Sequence, residues 1–343
     1  MPTPSAEVLF LDGQAVAELL PMAEAIEVMA ETFMELGRGA AQQPLRSALW
    51  LPDRRGLLGT MPATLPPRGE LGGVLAVKAL TVFPRNWQRG EETHLGFVLL
   101  FEADAGRPRA ILDAAALTAV RTAAVSAFAT RLLARPDACD LALIGSGTQA
   151  RTHLEALALV CTLCRVRVWS ATPERAARFA ERERARTGLP IEAVASSEAA
   201  AAGADLICTV SAAEEPVLQG RFLVPGAHVN AVGACTPKAR ELDSEAIRRA
   251  RVFVDRLESA WAEAGDLLIP KALGEIDEGA VVGELGEVAL GTVPGRRSDT
   301  EITLFKSLGL GVEDAAAARH IEAKARALGR GLPLPAGGFH DSP

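Results

Sequence analysis

The stretch that most narrows the possible folds of this 343-residue chain is Gly145-Ser146-Gly147-Thr148-Gln149-Ala150, a GxGxxA turn. An apolar segment at 141–144 leads into it, and helical periodicity follows over 148–160. A glycine turn alone says little, but between a strand and a helix it has a physical role. Gly145 permits the tight turn, and Gly147 lets backbone approach a pyrophosphate. Ala150 is small enough for the helix to pack on the sheet. The first turn of that helix, from Thr148 and Gln149, offers unpaired N–H groups and the positive end of its dipole. This context points to a bound dinucleotide.

The surrounding pattern agrees. Strands are expected at 141–144, 166–169, 191–195, 205–210, 228–233 and 252–254, with helices at 148–160 and 173–186 between the first three. Alternation of this kind makes a parallel sheet covered on both faces. The first third reads differently. A helix over 15–36 precedes short strands at 47–51, 57–61, 74–80, 95–101 and 110–112, separated by proline and glycine. An alanine-rich helix spans 118–134, and the chain is helical again from Asp314. The expected fold is therefore α/β: a Rossmann-type doubly wound parallel sheet plus an α+β substrate and dimerisation domain. Residues 1–117 with 312–330 would form the latter, 118–311 the former, and 331–343 a loose tail. A length of about two ordinary domains fits this division.

A formal charge of -7 argues against nucleic-acid binding, which needs a basic face. No apolar run reaches the roughly 18 residues of a membrane span, and Asp12 and Glu18 interrupt any signal-like start, so the expected location is the cytoplasm. Five cysteines in a chain this long do not suggest a disulfide framework, and Cys161 and Cys164 read as small buried apolar residues rather than a redox or metal pair. No metal site is expected. There is no tyrosine, which rules out a tyrosine-lysine proton relay, and the five histidines share no motif spacing. Acid-base work must fall to other groups.

Dinucleotide sites specific for NAD usually carry an acid at the end of the second strand. Here that strand ends Trp169-Ser170-Ala171-Thr172, with Arg175 close by. Ser170 and Thr172 can donate to a 2′-phosphate and no carboxylate repels it, so NADP(H) is expected over NAD(H). The alternative for Arg175 is a solvated helix residue.

Five further blocks carry a family resemblance: Ala76-Val77-Lys78-Ala79-Leu80-Thr81, Thr118-Ala119-Val120-Arg121-Thr122-Ala123-Ala124, Asn230-Ala231-Val232-Gly233-Ala234, Arg240-Glu241-Leu242 and Leu304-Phe305-Lys306-Ser307-Leu308-Gly309. In this order, around the glycine turn, the chain resembles the ornithine cyclodeaminase/mu-crystallin family from about Val8 to Ala325. The resemblance implies a homodimer in which an amino or imino acid lies beside a nicotinamide. It implies Arg46, Lys78 and Arg121 as carboxylate binders, the last two catalytic, with Cys235, Ser307 and Leu308 also at the substrate. It adds Thr93, Arg121, Ser211, Asn230, Val232 and Gly233 to the cofactor contacts. The chemistry of the residues agrees, since a guanidinium fork matches a carboxylate and Lys78 sits in an apolar strand where a lone ammonium is costly. The alternative for Lys78 is a partner for a nearby acid. For Arg121 it is a helix-surface charge, and for Arg46 a solvated strand edge.

The chain departs from the cyclodeaminases at two points. They carry an aspartate where this sequence has Cys235, and a glutamate where it has Gly59. Those carboxylates handle the amine that closes the ring, so reduction of a small imino acid or cyclic ketimine of the pyrroline- or piperideine-2-carboxylate type is expected, or the reverse dehydrogenation. A redox-neutral cyclodeaminase and a non-catalytic binding protein remain the alternatives.

Overall fold

The computed structural model describes residues 6–336 except Glu91. The chain divides into two compact units, one formed by residues up to Arg121 together with those from Leu310 onward, the other by Thr122–Gly309.

The first unit begins with β1 (Ala6–Leu11), α1 (Gly13–Leu19) and α2 (Met22–Gly37). The single helix expected over 15–36 is two, because Pro21 has no N–H to continue α1 and its ring crowds the preceding turn. The Asp12 carboxylate caps α1 by accepting from the Ala15 N–H at 2.8 Å. Strands β2 (Ser47–Trp50), β3 (Leu57–Leu65), β4 (Val74–Val82), β5 (His94–Glu102) and β6 (Pro108–Asp113) follow, then α3 (Ala114–Leu133), in which the boundary between the units falls.

The second unit carries β7 (Asp140–Ile144), α4 (Thr148–Val160), β8 (Arg165–Trp169), α5 (Pro173–Thr187), β9 (Ile191–Ala193), α6 (Ser197–Ala201), β10 (Leu206–Thr209), β11 (His228–Ala231), α7 (Ser244–Arg249), β12 (Ala250–Val254), α8 (Leu257–Glu263), α9 (Gly265–Ala272), β13 (Val281–Glu284), α10 (Leu285–Ala289) and β14 (Ile302–Lys306). The chain then returns to the first unit with α11 (Gly311–Ala327) and β15 (Leu332–Ala336). The tail expected to be loose is thus a strand as far as Ala336, paired antiparallel along β1. The alternation Leu332, Leu334, Ala336 with two intervening prolines suits an edge strand.

In the first unit the sheet order is β15-β1-β6-β5-β4-β3-β2. Its pleat sends Met61, Ala63, Ala76, Lys78, Val98 and Leu100 inward, onto α11, which also packs on α2. Leu58, Leu75, Leu95 and Phe97 stay exposed on the opposite face. In the second unit eight parallel strands run β13-β12-β14-β11-β10-β7-β8-β9, with apolar clusters on both faces. Strand β7 lies between β8 and β10, so the order reverses there, and the glycine turn leaves its carboxyl end. This is the place where open α/β sheets bind ligands.

The cysteine expectation needs correction. Cys139 and Cys164 form a disulfide with a Cα separation of 5.2 Å. Each precedes one of two adjacent parallel strands whose register pairs Asp140 with Arg165, so the sheet itself brings them within bonding distance. The short-range CxxC spacing had nothing to do with it. No described helix is long and apolar enough to cross a membrane.

Candidate active site

Lys78 and Arg121 meet inside the first unit. Lys78 projects from the inward face of β4, only 3% exposed, and Arg121 from α3, 4% exposed. Both reach the amino-terminal turn of α11. Lys78 Nζ stands 3.1 Å from Asp314 Oδ1 and 2.9 Å from Oδ2, and donates to Thr118 Oγ1 at 3.1 Å. Arg121 Nε donates to the same Asp314 Oδ1 at 3.1 Å, and its NH1 to Glu313 Oε2 at 2.7 Å. The alternative read for Lys78, an acid partner, is therefore realised, and it coexists with a cation cluster.

Burial pulls the Lys78 ammonium down to about 8; the Asp314 carboxylate opposes this and the Arg121 charge adds to it. His94, at the start of β5, is open to solvent on one side. Enclosure by protein on the other, then the Lys78 and Arg121 charges, lower its imidazole further below the usual value. Thr93 Oγ1 lies 2.9 Å from His94 Nδ1. Arg46 is half-buried just ahead of β2. Close to it in sequence, Gln43 accepts the Val312 N–H through Oε1 at 3.0 Å and so ties its segment to α11.

Asp314, Glu313, Thr118 and Gln43 were not read from the sequence as site residues. The available signal was a pair of acids beside four alanines at the start of α11. A helix that small-sided is buried, and buried acids need cations.

The second unit carries the candidate nucleotide site. Gly145 has φ +132°, and a side chain there would strike the Val210 carbonyl at 2.6 Å. Nothing lies within 4 Å of where a Gly147 Cβ would be. No side chain caps α4 and its first turn carries no acid, so the N–H groups around Thr148 stay open to an anion. These residues fit a dinucleotide pyrophosphate. Ser170 follows β8, Thr172 is the N-cap of α5, and Arg175 is an exposed residue of its first turn.

Two loops at the carboxyl ends of β10 and β11 carry Ser211, Val232 and Gly233. The Glu241 carboxylate accepts from Ser211 N–H (2.7 Å), Ser211 Oγ (2.6 Å) and Gly233 N–H (2.7 Å) and holds both. Burial pushes its pKa up. Asp266 accepts the Glu241 and Leu242 N–H groups at 2.8 and 3.0 Å. Lys306, fully buried, pairs with Asp266 at 2.9 Å and donates to the Ala234 carbonyl at 2.6 Å. Burial alone would lower the Lys306 ammonium, but the Asp266 charge leaves it raised.

Asn230, expected at the cofactor, is the third residue of β11. Its side chain is fully buried and donates inward to Thr130 Oγ1 at 2.9 Å. Ser307 and Leu308 are also buried. The Leu308 N–H donates to Asp255 Oδ2 at 2.6 Å, whereas the Ser307 hydroxyl finds no protein partner among the described residues. Cys235 is half-buried and reduced, its Sγ donating to the Val232 carbonyl at 3.3 Å. At Gly59 an added Cβ would meet nothing closer than 3.5 Å, so backbone geometry does not demand the glycine.

The model of the ornithine cyclodeaminase/mu-crystallin family matches residues 6–329. The ketimine reductase mu-crystallin of Mus musculus is 38% identical over 294 residues, 86% of this chain and 88% of that one. The Thermococcus litoralis Delta(1)-pyrroline-2-carboxylate reductase, solved in complex with NADH and L-proline, superposes with a TM-score of 0.92 at 37% identity, covering 95% of this chain and 100% of that one. An archaeal alanine dehydrogenase dimer with bound NAD gives 0.89 at 31% identity, covering 96% and 99%.

Proposed function

Because the chain belongs to the ornithine cyclodeaminase/mu-crystallin family, we propose that it is an NAD(P)H-dependent reductase of small imino acids or cyclic ketimines, or runs the reverse dehydrogenation. The observation that carries this reading is the buried Lys78–Arg121 pair on the inward side of the first unit. Asp314 and Glu313 hold the two cations in place, and in this reading both cations also donate to the substrate's carboxylate. Cys235 and Gly59 stand where the cyclodeaminases carry the acids that guide a side-chain amine.

The nicotinamide, when bound, supplies the hydride for the C=N carbon. Lys78 and Arg121 hold the carboxylate and so orient the adjacent imine. Lys78 has three N–H groups, of which Thr118 and Asp314 engage two, and the remaining one is available to the substrate. Protonating the imine nitrogen makes its carbon more electrophilic, and an ammonium whose pKa is near 8 can deliver that proton at neutral pH. The glycine turn and the open first turn of α4 hold the pyrophosphate. Ser170 and Thr172, at the strand end where NAD-type sites carry an acid, favour NADP(H) over NAD(H).

The reading also includes a homodimer. Leu58, Leu75, Leu95 and Phe97 lie 44–47% exposed on one face of the first unit's sheet, with Leu49 at 72%. A face this apolar fits a second copy of the chain.

Cyclic imines, and 2-oxo acids mixed with ammonia or methylamine, test the activity through NADPH and NADH absorbance. Stoichiometric consumption with a cyclic imine is expected. Ring closure of ornithine or lysine without net cofactor consumption would replace the reading.

A further inference from the structure

The order of strands in the second unit divides a dinucleotide among its loops. The end of β8, on one side of β7, is where such sites hold the adenosine ribose. The glycine turn after β7 takes the pyrophosphate. The other half of the molecule, the ribose that carries the nicotinamide, therefore extends to the opposite side of β7. There the next strands are β10 and then β11. Their carboxyl ends carry the loops of Ser211 and Gly233, and one buried carboxylate, that of Glu241, accepts from the backbone of both.

Glu241 is itself held through its backbone. Its N–H donates to Asp266 Oδ1 at 2.8 Å, and its carbonyl accepts from the Val217 and Leu218 N–H groups at 2.8 and 3.0 Å. Asp266 pairs with Lys306 at the end of β14, and Lys306 donates to the carbonyl of Ala234, next to Gly233. The contacts thus leave the Gly233–Ala234 segment and return to it, with Glu241, Asp266 and Lys306 all fully buried. The two loops are also close to one another. A Cβ at Gly233 would strike the Ser211 carbonyl and lie 2.6 Å from Glu241 Oε1. A buried carboxylate is costly where an apolar side chain would fill the space, and here its three donors on two loops offset that cost. We propose, on the reading that this unit binds NAD(P)(H), that Glu241 is a positioning residue for the nicotinamide half of the cofactor. It fixes the loops after β10 and β11 in one relative position, and the adenosine half rests on β7 and β8 without it.

Two ligands separate the halves in calorimetric titrations. One is whichever of NADPH and NADH the wild type binds more tightly. The other is the matching fragment without nicotinamide, 2′-phospho-ADP-ribose or ADP-ribose. In Glu241→Gln the amide NH2 must face the donors of one loop, so that loop is released. The dissociation constant of the dinucleotide should rise by roughly tenfold or more, as for a lost charged hydrogen bond, while that of the fragment changes by less than about threefold. A change in the fragment as large as that in the dinucleotide, including none in either, overturns the proposal and makes Glu241 a structural residue of the unit. Should this variant fail to fold, Glu241→Asp keeps the charge beside Lys306 but is one methylene too short to reach both loops. The same selective loss is expected there, and equal effects on the two ligands again overturn the proposal. The underlying reading is tested separately by the wild type. If it binds neither ligand, the dinucleotide site itself is removed, and the proposal falls with it.

Discussion

Lys78, an ammonium pulled down to about 8 by burial, turns a residue-level feature into a pH dependence. In the proposed role the protonated form is the active one, so kcat/KM should fall as pH rises through about 8, well before an ordinary lysine would titrate. In Lys78→Arg, whose guanidinium stays charged, the remaining activity should lose that alkaline limb. An identical limb in the variant would assign it to another group. Lys78→Met should cost about two to four orders of magnitude in kcat/KM, as expected for a broken charged hydrogen bond of about 3–5 kcal/mol. It should also lower the melting temperature, because Asp314 loses one of its two cations. At Ser170, substitution by aspartate adds both a ribose partner and repulsion toward a 2′-phosphate, so it should move the kcat/KM preference from NADPH to NADH. A wild-type protein that already favours NADH tenfold, about 1.4 kcal/mol, would contradict the NADP(H) assignment. Lys78 stood out as a charge inside an apolar strand, whereas Arg121 was singled out by the family resemblance, since a charge on an alanine-rich helix can equally face solvent. Their counter-ions were not legible. Asp314 is 236 residues from Lys78, and only the fold shows that they meet.

Elements were legible where periodicity and punctuation agree, as along β7, the glycine turn and α4. They were missed where burial on both faces erases alternation. β14 reads Ile-Thr-Leu-Phe-Lys and is buried throughout, and its lysine is tolerated only because Asp266, on α9, pairs with it. Two buried histidines make a second demand that sequence spacing did not reveal. His153 on α4 meets Ser126 at 2.9 Å, and His228 on β11 meets Thr303 at 3.0 Å. Burial lowers these imidazoles to about 4 and about 3. Between pH 6.5 and about 4 the unfolded chain therefore binds protons that the folded one refuses, so stability falls as the solution is acidified. Each histidine contributes a slope of up to about 1.4 kcal/mol per pH unit. Melting temperatures across this range should drop, and His153→Gln should flatten the fall. A slope unchanged in that variant would assign the acid sensitivity to other groups.

At the scale of the whole molecule, the exposed apolar face of the first unit's sheet predicts self-association. Sedimentation should give a dimer mass for the wild type, and Leu75→Glu, which places a charge on that face, should shift it toward the monomer while the far-ultraviolet spectrum is kept. A monomeric wild type at micromolar concentration would remove the homodimer from the reading. The same unit has a consequence for how the protein is made. Its sheet from β1 to β6 leaves the ribosome long before α11, the helix that covers its inward face and carries the acids for Lys78 and Arg121. Throughout synthesis of residues 122–309, the nascent chain holds an uncovered apolar sheet with two cations still lacking those acids. Chains stalled before Gly311 should therefore partition to chaperones and aggregates, and those that emerge past Ala327 should become protease-resistant in one step.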